Sequence, residues 1–415
     1  MKTIRLFTSF FSGSLRIILT GNKLYMAWMI LLLAVTGVGL WAYANQLSEG
    51  LITTSMRDQV SWGFYIGNFI FLVGVAAAAV TLVVPAYLYD WKPIKEIVVY
   101  GELLAISAII CCCLFVMVDI GHPERFWHLI PGIGLLNIPS SLLGWDVIAL
   151  NSYLVLNFAI VTYILFMRFR KEKTNPRIYW PLVILSIPAA IAIHTVTAFL
   201  YNGLIARPYW NSAILAPRFI VSAFCSGPAI ILVLMQILQK FTSFHIRREA
   251  IWKVAELMAY FMGVNLFMLG AEVFKEFYSD TGHEIHMEYM FMGVHGHDAI
   301  VPYMWTAVTC SFLAFVIFLR RKQRENPLWL NIGCVLIFIG VYLEKSMGMV
   351  IPGMTPDPLG EIYEYSPSMN EYLVSAGIMA IGALLFTWMV KIANPIMYGE
   401  FTFENHPNDK KDKAI

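Results

Sequence analysis

Long apolar runs alternate with short clusters of charge along the whole chain. The runs lie near 24–43, 64–89, 97–118, 145–167, 179–203, 213–237, 255–274, 301–319, 328–348 and 372–392. A bilayer core of roughly 30 Å takes about 20 apolar residues as a helix, whereas a barrel strand takes only about 9–11. Backbone groups in lipid must be bonded within their own segment or in a closed barrel. Runs of this length predict an all-α integral membrane protein of about ten transmembrane helices. The expected organisation is one membrane domain over 1–415, with a cytoplasmic N-terminal segment, 1–23, and a cytoplasmic tail, 393–415. The basic N-terminus shows no signal-peptide cleavage pattern and leads into a first run long enough to remain as a helix.

Charge placement orients the helices. Of the 29 Lys and Arg, all but Arg57, Arg125, Arg207, Arg218, Lys275 and Lys345 fall in the N-terminal stretch, in the loops after even-numbered spans, or from the end of the last run, Lys391, into the tail. Cytoplasmic loops carry the excess of Lys and Arg, so both termini are expected inside, at a bacterial or archaeal cytoplasmic membrane. Charged residues make up only 13% of the chain against about 25% for a soluble domain, which agrees with a bilayer partner. No basic stripe or nucleic-acid motif is present, and nucleic acid is excluded as a partner. All six cysteines fall inside apolar runs without a CxxC pair and fit small buried hydrophobes better than zinc or iron–sulfur ligands.

The outer connections, 44–63, 119–144, 275–300 and 349–371, are longer and rich in Gly, Pro, His, Trp and acidic residues. Long structured loops in a compact protein carry function. Asp119-Ile-Gly-His-Pro-Glu-Arg-Phe-Trp-His128 follows the third run, and its continuation to Trp145-Asp146 is too broken to span. Phe126, Trp127 and Trp145 suit the interface. Asp119, His122, Arg125 and Asp146 are expected to converge there. A His–Asp pair takes a proton near neutral pH, and a quinol headgroup needs such an acceptor at its hydroxyls. The competing reading is interfacial anchoring, with Asp119 or Glu124 paired to Arg125.

Further ionisable groups lie within the runs. Glu102 sits in the third, Glu256 and Glu272 bracket the seventh, Glu344 and Lys345 end the ninth, and His194 lies in the fifth. Glu102, Glu256 and Glu344 suit a proton path, although helix–helix contacts or ion pairs explain such residues as well. With only His194 in mid-span, a buried bis-His haem is not expected. His283, His286, His295 and His297 beside Asp280, Glu284 and Asp298 offer metal-ligand types, but without a regular scaffold no metal site is assigned.

Several motifs together resemble a known family. They are Ser61-Trp-Gly-Phe-Tyr-Ile-Gly67, the 119–128 segment, Gly144-Trp-Asp146, Glu344-Lys345-Ser-Met-Gly-Met-Val-Ile-Pro-Gly353, Pro358-Leu-Gly-Glu-Ile362 and Glu364-Tyr-Ser-Pro367. In order and spacing these are similar to the NrfD/PsrC membrane subunits of bacterial redox complexes, and most like the DsrP/HmcC-like branch. The DsrP member of that branch is the quinone-linked subunit of the DsrMKJOP complex of sulfur metabolism. The resemblance implies two four-helix bundles plus peripheral helices, without haem or an iron–sulfur cluster on the chain itself. It also implies a menaquinone or other quinone site near the outer face and a ferredoxin-like iron–sulfur partner, with a multihaem cytochrome and other membrane subunits in the complex. On this resemblance His122 and Asp146 are the catalytic candidates. Asp119 and Arg125 lie in the same motif, while Tyr65 and Glu272 are carried over by span.

The function expected is a quinone-interacting subunit exchanging electrons between menaquinol or menaquinone and an iron–sulfur partner. Two other classes remain: a proton-translocating or secondary transporter subunit, which scattered intramembrane carboxylates would suit, and a membrane anchor without its own quinone site. Against a transporter, no pair of Gly/Pro-broken helices occupies corresponding halves.

Overall fold

Every expected apolar run forms a helix in a computed structural model of the chain, which describes residues 2–403 apart from 90, 131, 243, 245 and 280–283. Asp280, His283 and tail residues 404–415 therefore lie outside the described residues. The helices are α1 (Lys2–Leu19), α2 (Lys23–Glu49), α3 (Phe64–Ala76), α4 (Ala78–Val83), α5 (Lys92–Asp119), α6 (Leu142–Phe169), α7 (Pro176–Asn202) and α8 (Leu215–Phe241). They continue as α9 (Arg248–Ser279), α10 (Glu284–Phe291), α11 (Val301–Leu319), α12 (Arg321–Arg324), α13 (Pro327–Lys345), α14 (Met347–Met354) and α15 (Met369–Met397). Among the described residues, ten helical segments are long and apolar enough to cross a bilayer.

The helix starts follow from local chemistry. Asn22, Ser141, Asn175 and Asn326 each accept a hydrogen bond from a first-turn amide of α2, α6, α7 and α13. Pro176 and Pro327 occupy first-turn positions, where no amide is needed. Ser368 and Glu371 form a reciprocal capping box at α15. Two spans differ from the straight helices expected. The second breaks at Ala77 and ends in a π-helical stretch, Val84–Leu88, because Pro85 has no amide to donate and crowds the preceding turn. The ninth does not end at 348. It kinks at Ser346 and continues as α14, so Glu344 and Lys345 lie inside the span Pro327–Met354 and not at its end.

The most buried helices, α3, α5, α8 and α13, form the interior. Around them α11 packs on α13, α9 on α8, α7 on α6, and α2 on α15. At the last of these contacts Gly39 and Gly377 bring two backbones together so closely that a Cβ on Gly39 would stand 2.5 Å from the Gly377 Cα. Small residues at a helix crossing allow this approach in lipid.

One end of the assembly, the loop-rich end, collects the connections after α2, α5, α7 and α14. These are tied to one another: Glu371 accepts from the Ser55 amide at 2.8 Å, and Ser368 Oγ donates to the Thr53 carbonyl at 3.0 Å. Arg207 Nη1 donates to the Met354 carbonyl at 2.7 Å, and Trp210 Nε1 to the Met349 carbonyl at 2.8 Å. The opposite end carries the Arg320–Arg324 cluster.

Candidate functional site

Helix α5 ends at Asp119 because Gly121 and Pro123 follow, and a residue before proline disfavours helical backbone. The chain then runs over the surface as a short 3-10 turn, Pro123–Leu129, before Ser141 starts α6. This separates the residues of the motif. Asp119 stays on the helix, with its Oδ1 buried and without a hydrogen-bond partner. Asp146, in the first turns of α6, is 2% exposed and accepts from Thr197 Oγ1 at 2.6 Å. His122 and Arg125 instead face outward. His122 Nδ1 lies 2.9 Å from Glu124 Oε1, with the two side chains 67% and 65% exposed. The Glu124 carboxyl is held below the usual range first by its own backbone amide, and then by His122 and Arg125. The expected convergence of four residues is therefore two inward aspartates and the solvent-facing His122 and Arg125, with Glu124 beside them.

Helix α7 supplies what the motif alone does not show. His194, Thr197 and Tyr201 recur at three- and four-residue steps and share one face. Thr197 and Tyr201 are fully buried. The Tyr201 hydroxyl has no hydrogen-bond partner and lies within electrostatic reach of both Asp119 and Asp146. Its ring sits edge-on to Trp62 at 5.3 Å and to Trp210 at 5.2 Å, and the two indoles stand 5.7 Å apart. Gly353 is obligatory beneath Trp210, because a Cβ there would fall 1.9 Å from the indole.

Tyr65 closes the other side of the group. It donates to Gln46 Oε1 at 2.7 Å, and Gln46 Nε2 donates to the Val118 carbonyl at 2.7 Å, next to Asp119. Tyr65 interacts electrostatically with Asp119 and Glu371. Glu371 itself is saturated: it accepts from Ser55, Ser368 and the Tyr365 hydroxyl. Burial and Glu371 keep the Tyr365 phenol protonated by raising it above its usual range. Gln46, Thr197, Tyr201 and Glu371 thus join Asp119, Asp146 and Tyr65 at the loop-rich end. Phe126, Trp127, Ile133, Leu135 and Trp145 are exposed on the adjoining segment and make an apolar lip beside it.

A second constellation lies among α8, α9 and α13. Arg218, 2% exposed, donates to Glu272 through Nη1 and to Glu344 through Nη2 at 2.6 Å. Asn265 Nδ2 also donates to Glu344, at 3.1 Å. Glu344 therefore pairs across helices and not with its neighbour Lys345. Glu272, expected at the quinone site by its span, belongs to this cluster. The other two residues of the expected proton path lie elsewhere. Glu102 is buried in α5 with Oε2 unpartnered, in electrostatic reach of Tyr87, Tyr153 and Tyr179. Glu256 is partly exposed near the basic end, bonded to Lys253 at 3.3 Å and Tyr260 at 2.9 Å, with Arg324 at 3.6 Å.

Among the described residues no three His, Cys, Asp or Glu side chains come together as a metal site. His286 is buried with Nδ1 2.8 Å from the Pro352 carbonyl, and His297 lies 3.6 Å from Glu364. The cysteines among the described residues are free, and buried or half-buried.

Comparison with known proteins adds the family. Residues 53–355 match the family described as polysulphide reductase, NrfD. A putative membrane subunit of the dimethyl sulfoxide reductase of Halobacterium salinarum is 25% identical over 86% of this chain and 88% of its own length. A selenate reductase subunit of Mesobacillus selenatarsenatis is 24% identical over 89% of the chain and 94% of its length. An Hdr-like menaquinol oxidoreductase integral membrane subunit of Archaeoglobus fulgidus is 24% identical over 89% and 93%.

Proposed function

Because the chain belongs to the NrfD polysulphide reductase family, we propose that it is the quinone-interacting membrane subunit of a respiratory redox complex. It would exchange electrons between menaquinol or menaquinone and an iron–sulfur partner subunit. Names of similar proteins support the quinone and the multisubunit setting, since one is a menaquinol oxidoreductase subunit and others are reductase subunits. They range over dimethyl sulfoxide and selenate chemistry as well, so sulfur metabolism is not singled out.

The observation that carries the proposal is a pair of buried, unpartnered polar atoms of opposite kind, Asp119 Oδ1 and the Tyr201 hydroxyl, in one group with Asp146. A buried polar group without a partner is costly, and such exceptions mark sites that another molecule completes. A quinol headgroup presents hydroxyls that donate, and a quinone presents carbonyls that accept. Asp119 Oδ1 answers the first and Tyr201 the second. Trp62, half-buried beside Tyr201, offers an aromatic face for a ring, and the apolar lip suits an isoprenoid tail lying in lipid.

When bound, the quinone supplies the electron chemistry together with its protons. The chain's own task is to orient the headgroup and to handle those protons. Asp119 Oδ1 takes or gives a proton at the headgroup. Thr197 fixes the Asp146 carboxylate so that it faces the same group. Tyr65 and Gln46 hold the end of α5 and thereby Asp119. His122 and Glu124 stand in water beyond the turn and pass protons onward. With the basic loops inside, this end faces outward and both termini are cytoplasmic. The iron–sulfur partner and any multihaem cytochrome would dock on that outer side.

The test is Asp119→Asn and Asp146→Asn in the tagged, assembled complex, read as quinone-linked reduction of the partner's clusters. Loss of at least about a hundredfold is expected, the scale of removing a proton-transfer group. Binding of the partner subunits should persist. Full rates in both variants would sink the assignment.

A further inference from the structure

His194 and Lys345, on α7 and α13, line one small interior cavity. His194 Nδ1 lies 3.1 Å from the Ala190 carbonyl, which can only accept, so Nδ1 carries the proton and Nε2 presents a lone pair. That Nε2 is buried and has no partner. Lys345 Nζ is also buried without a hydrogen-bond partner, 4.5 Å above the Phe219 ring. Both side chains line one cavity of about 10 Å³, together with Ser222, Ser226, Gly74 and Phe219. The two serines donate their hydroxyl protons to the carbonyls of Arg218 and Ser222, which leaves their oxygens as acceptors.

We infer that this cavity binds one water, which joins Lys345 to His194. A water needs at least roughly 10–15 Å³ and two to four polar partners; the cavity reaches the lower bound, and Lys345, His194 and a serine oxygen supply the partners. The water accepts from Lys345 Nζ, donates one hydrogen to His194 Nε2 and offers the other to a serine oxygen. A surplus donor and a surplus acceptor that cannot satisfy one another directly are thereby both satisfied.

The water also connects two constellations otherwise on separate helices. Lys345 adjoins Glu344 and brings the cluster to two cations and two carboxylates, with Arg218 and Glu272. His194 lies on the α7 face that carries Thr197, about 4.5 Å of helix rise away, and Thr197 holds Asp146. A proton can leave Lys345 Nζ for the water while the water gives one of its own to His194 Nε2. The amine becomes neutral, the imidazole becomes imidazolium, and the total charge is unchanged. At rest the proton stays on Lys345, the stronger base; transfer, drawn by negative charge developing at the outer carboxylates, would move positive charge from α13 to α7, one turn from the Thr197–Asp146 pair. The ionic cluster and the outer carboxylates are coupled electrostatically by this shift. The coupling, but not the water, rests on the quinone reading above.

Two measurements on the intact complex test this. X-ray hydroxyl-radical footprinting oxidises side chains beside bound water, with Phe115, fully buried in α5, as the dry control. Phe219 should be oxidised severalfold more than Phe115. Gly74→Ala should abolish the difference, because its methyl would fit 3.7 Å from Ser226 Oγ and Ala223 Cβ and occupy the cavity wall without moving the backbone. Equal oxidation of the two phenylalanines in the unaltered protein, or no change in G74A, overturns the water site. For the coupling, G74A and His194→Leu should lower quinone-linked turnover at least about tenfold while a quinone-analogue inhibitor binds as before. Unchanged turnover in both variants overturns the coupling. Failure of the unaltered complex to bind the analogue overturns the quinone site and the coupling, while the footprinting result on the water still stands.

Discussion

Arg218→Met removes one cation from between two buried carboxylates. Arg218 is 2% exposed, and Glu272 and Glu344 are each 4% exposed, so water cannot take its place. Removing one partner of a buried ion pair destabilises by about 3–5 kcal/mol, because the remaining charge is left uncompensated. Two carboxylates lose their partner here, which argues for the upper part of that range. Asn265 still donates to Glu344 and Lys345 remains in electrostatic reach of both carboxylates, which argues against doubling it. An expected loss of about 3–5 kcal/mol is a large share of the roughly 5–15 kcal/mol that holds a typical domain together. The measurement is reversible unfolding of the purified chain in mixed micelles, with the melting temperature of the complex as a second readout. Replacing all four charged members together, Arg218→Met and Lys345→Met with Glu272→Leu and Glu344→Leu, should recover most of the loss, since an apolar set of similar volume needs no charge compensation. An R218M protein within about 1 kcal/mol of the original, the worth of an ordinary hydrogen bond, would refute the electrostatic account. So would a fourfold variant less stable than R218M.

Three further outcomes are expected. Thr197→Val deletes the hydroxyl 2.6 Å from Asp146, a hydrogen bond to a charged group worth about 1.5–3 kcal/mol. Quinone-linked kcat should fall while Thr197→Ser restores it, and equal rates in both variants would remove Thr197 from the site. Gly353→Ala places a methyl in the Trp210 indole and should cost about 1–3 kcal/mol by overpacking, seen as a lower melting temperature and a shifted tryptophan emission. The His122–Glu124 pair is exposed, and the Glu124 carboxyl is depressed, so any stability it contributes is complete at neutral pH and is lost in acid as pH falls through the folded value. Exposed pairs contribute little, so Glu124→Gln should leave the neutral-pH melting temperature unchanged, and a clear drop would show that the turn is tied down by this contact.

The ten spans were legible because lipid permits few backbone solutions and demands long apolar runs for each. Their breaks were less so. Pro85 marks one in the sequence, but the kink at Ser346 has no such marker, and apolar residues on both sides hide where the ninth span ends. That single uncertainty assigned Glu344 and Lys345 to a helix terminus, where an ion pair between neighbours is plausible. In mid-span the side chains diverge, Glu344 toward Arg218 and Lys345 toward Phe219. The charge count shared the error. Arg218 and Lys345 count among the six basic residues outside the inner loops, yet both are buried within spans and belong to neither side. Removing them leaves the basic residues still more concentrated at the other end.

The motif at 119–146 shows the same limit from another direction. Its composition marks an unusual site, but which members turn inward depends on where α5 stops. Asp119 is the last helical residue and inherits the inward face of α5, while His122 follows the break and does not. Residues that complete the site come from helices with no motif at all. Thr197 and Tyr201 sit in an apolar run, where the available signal is the polar recurrence His194, Thr197, Tyr201 along one helix face. That recurrence is weak evidence in a soluble helix, where polar residues are common. Inside a bilayer each such residue must find a partner or leave an unsatisfied group in a low-dielectric interior. A stripe of three on one face therefore predicts a polar surface on the facing helices. Asp119 and Asp146 meet it at one end, and Lys345 lies beside it at the other.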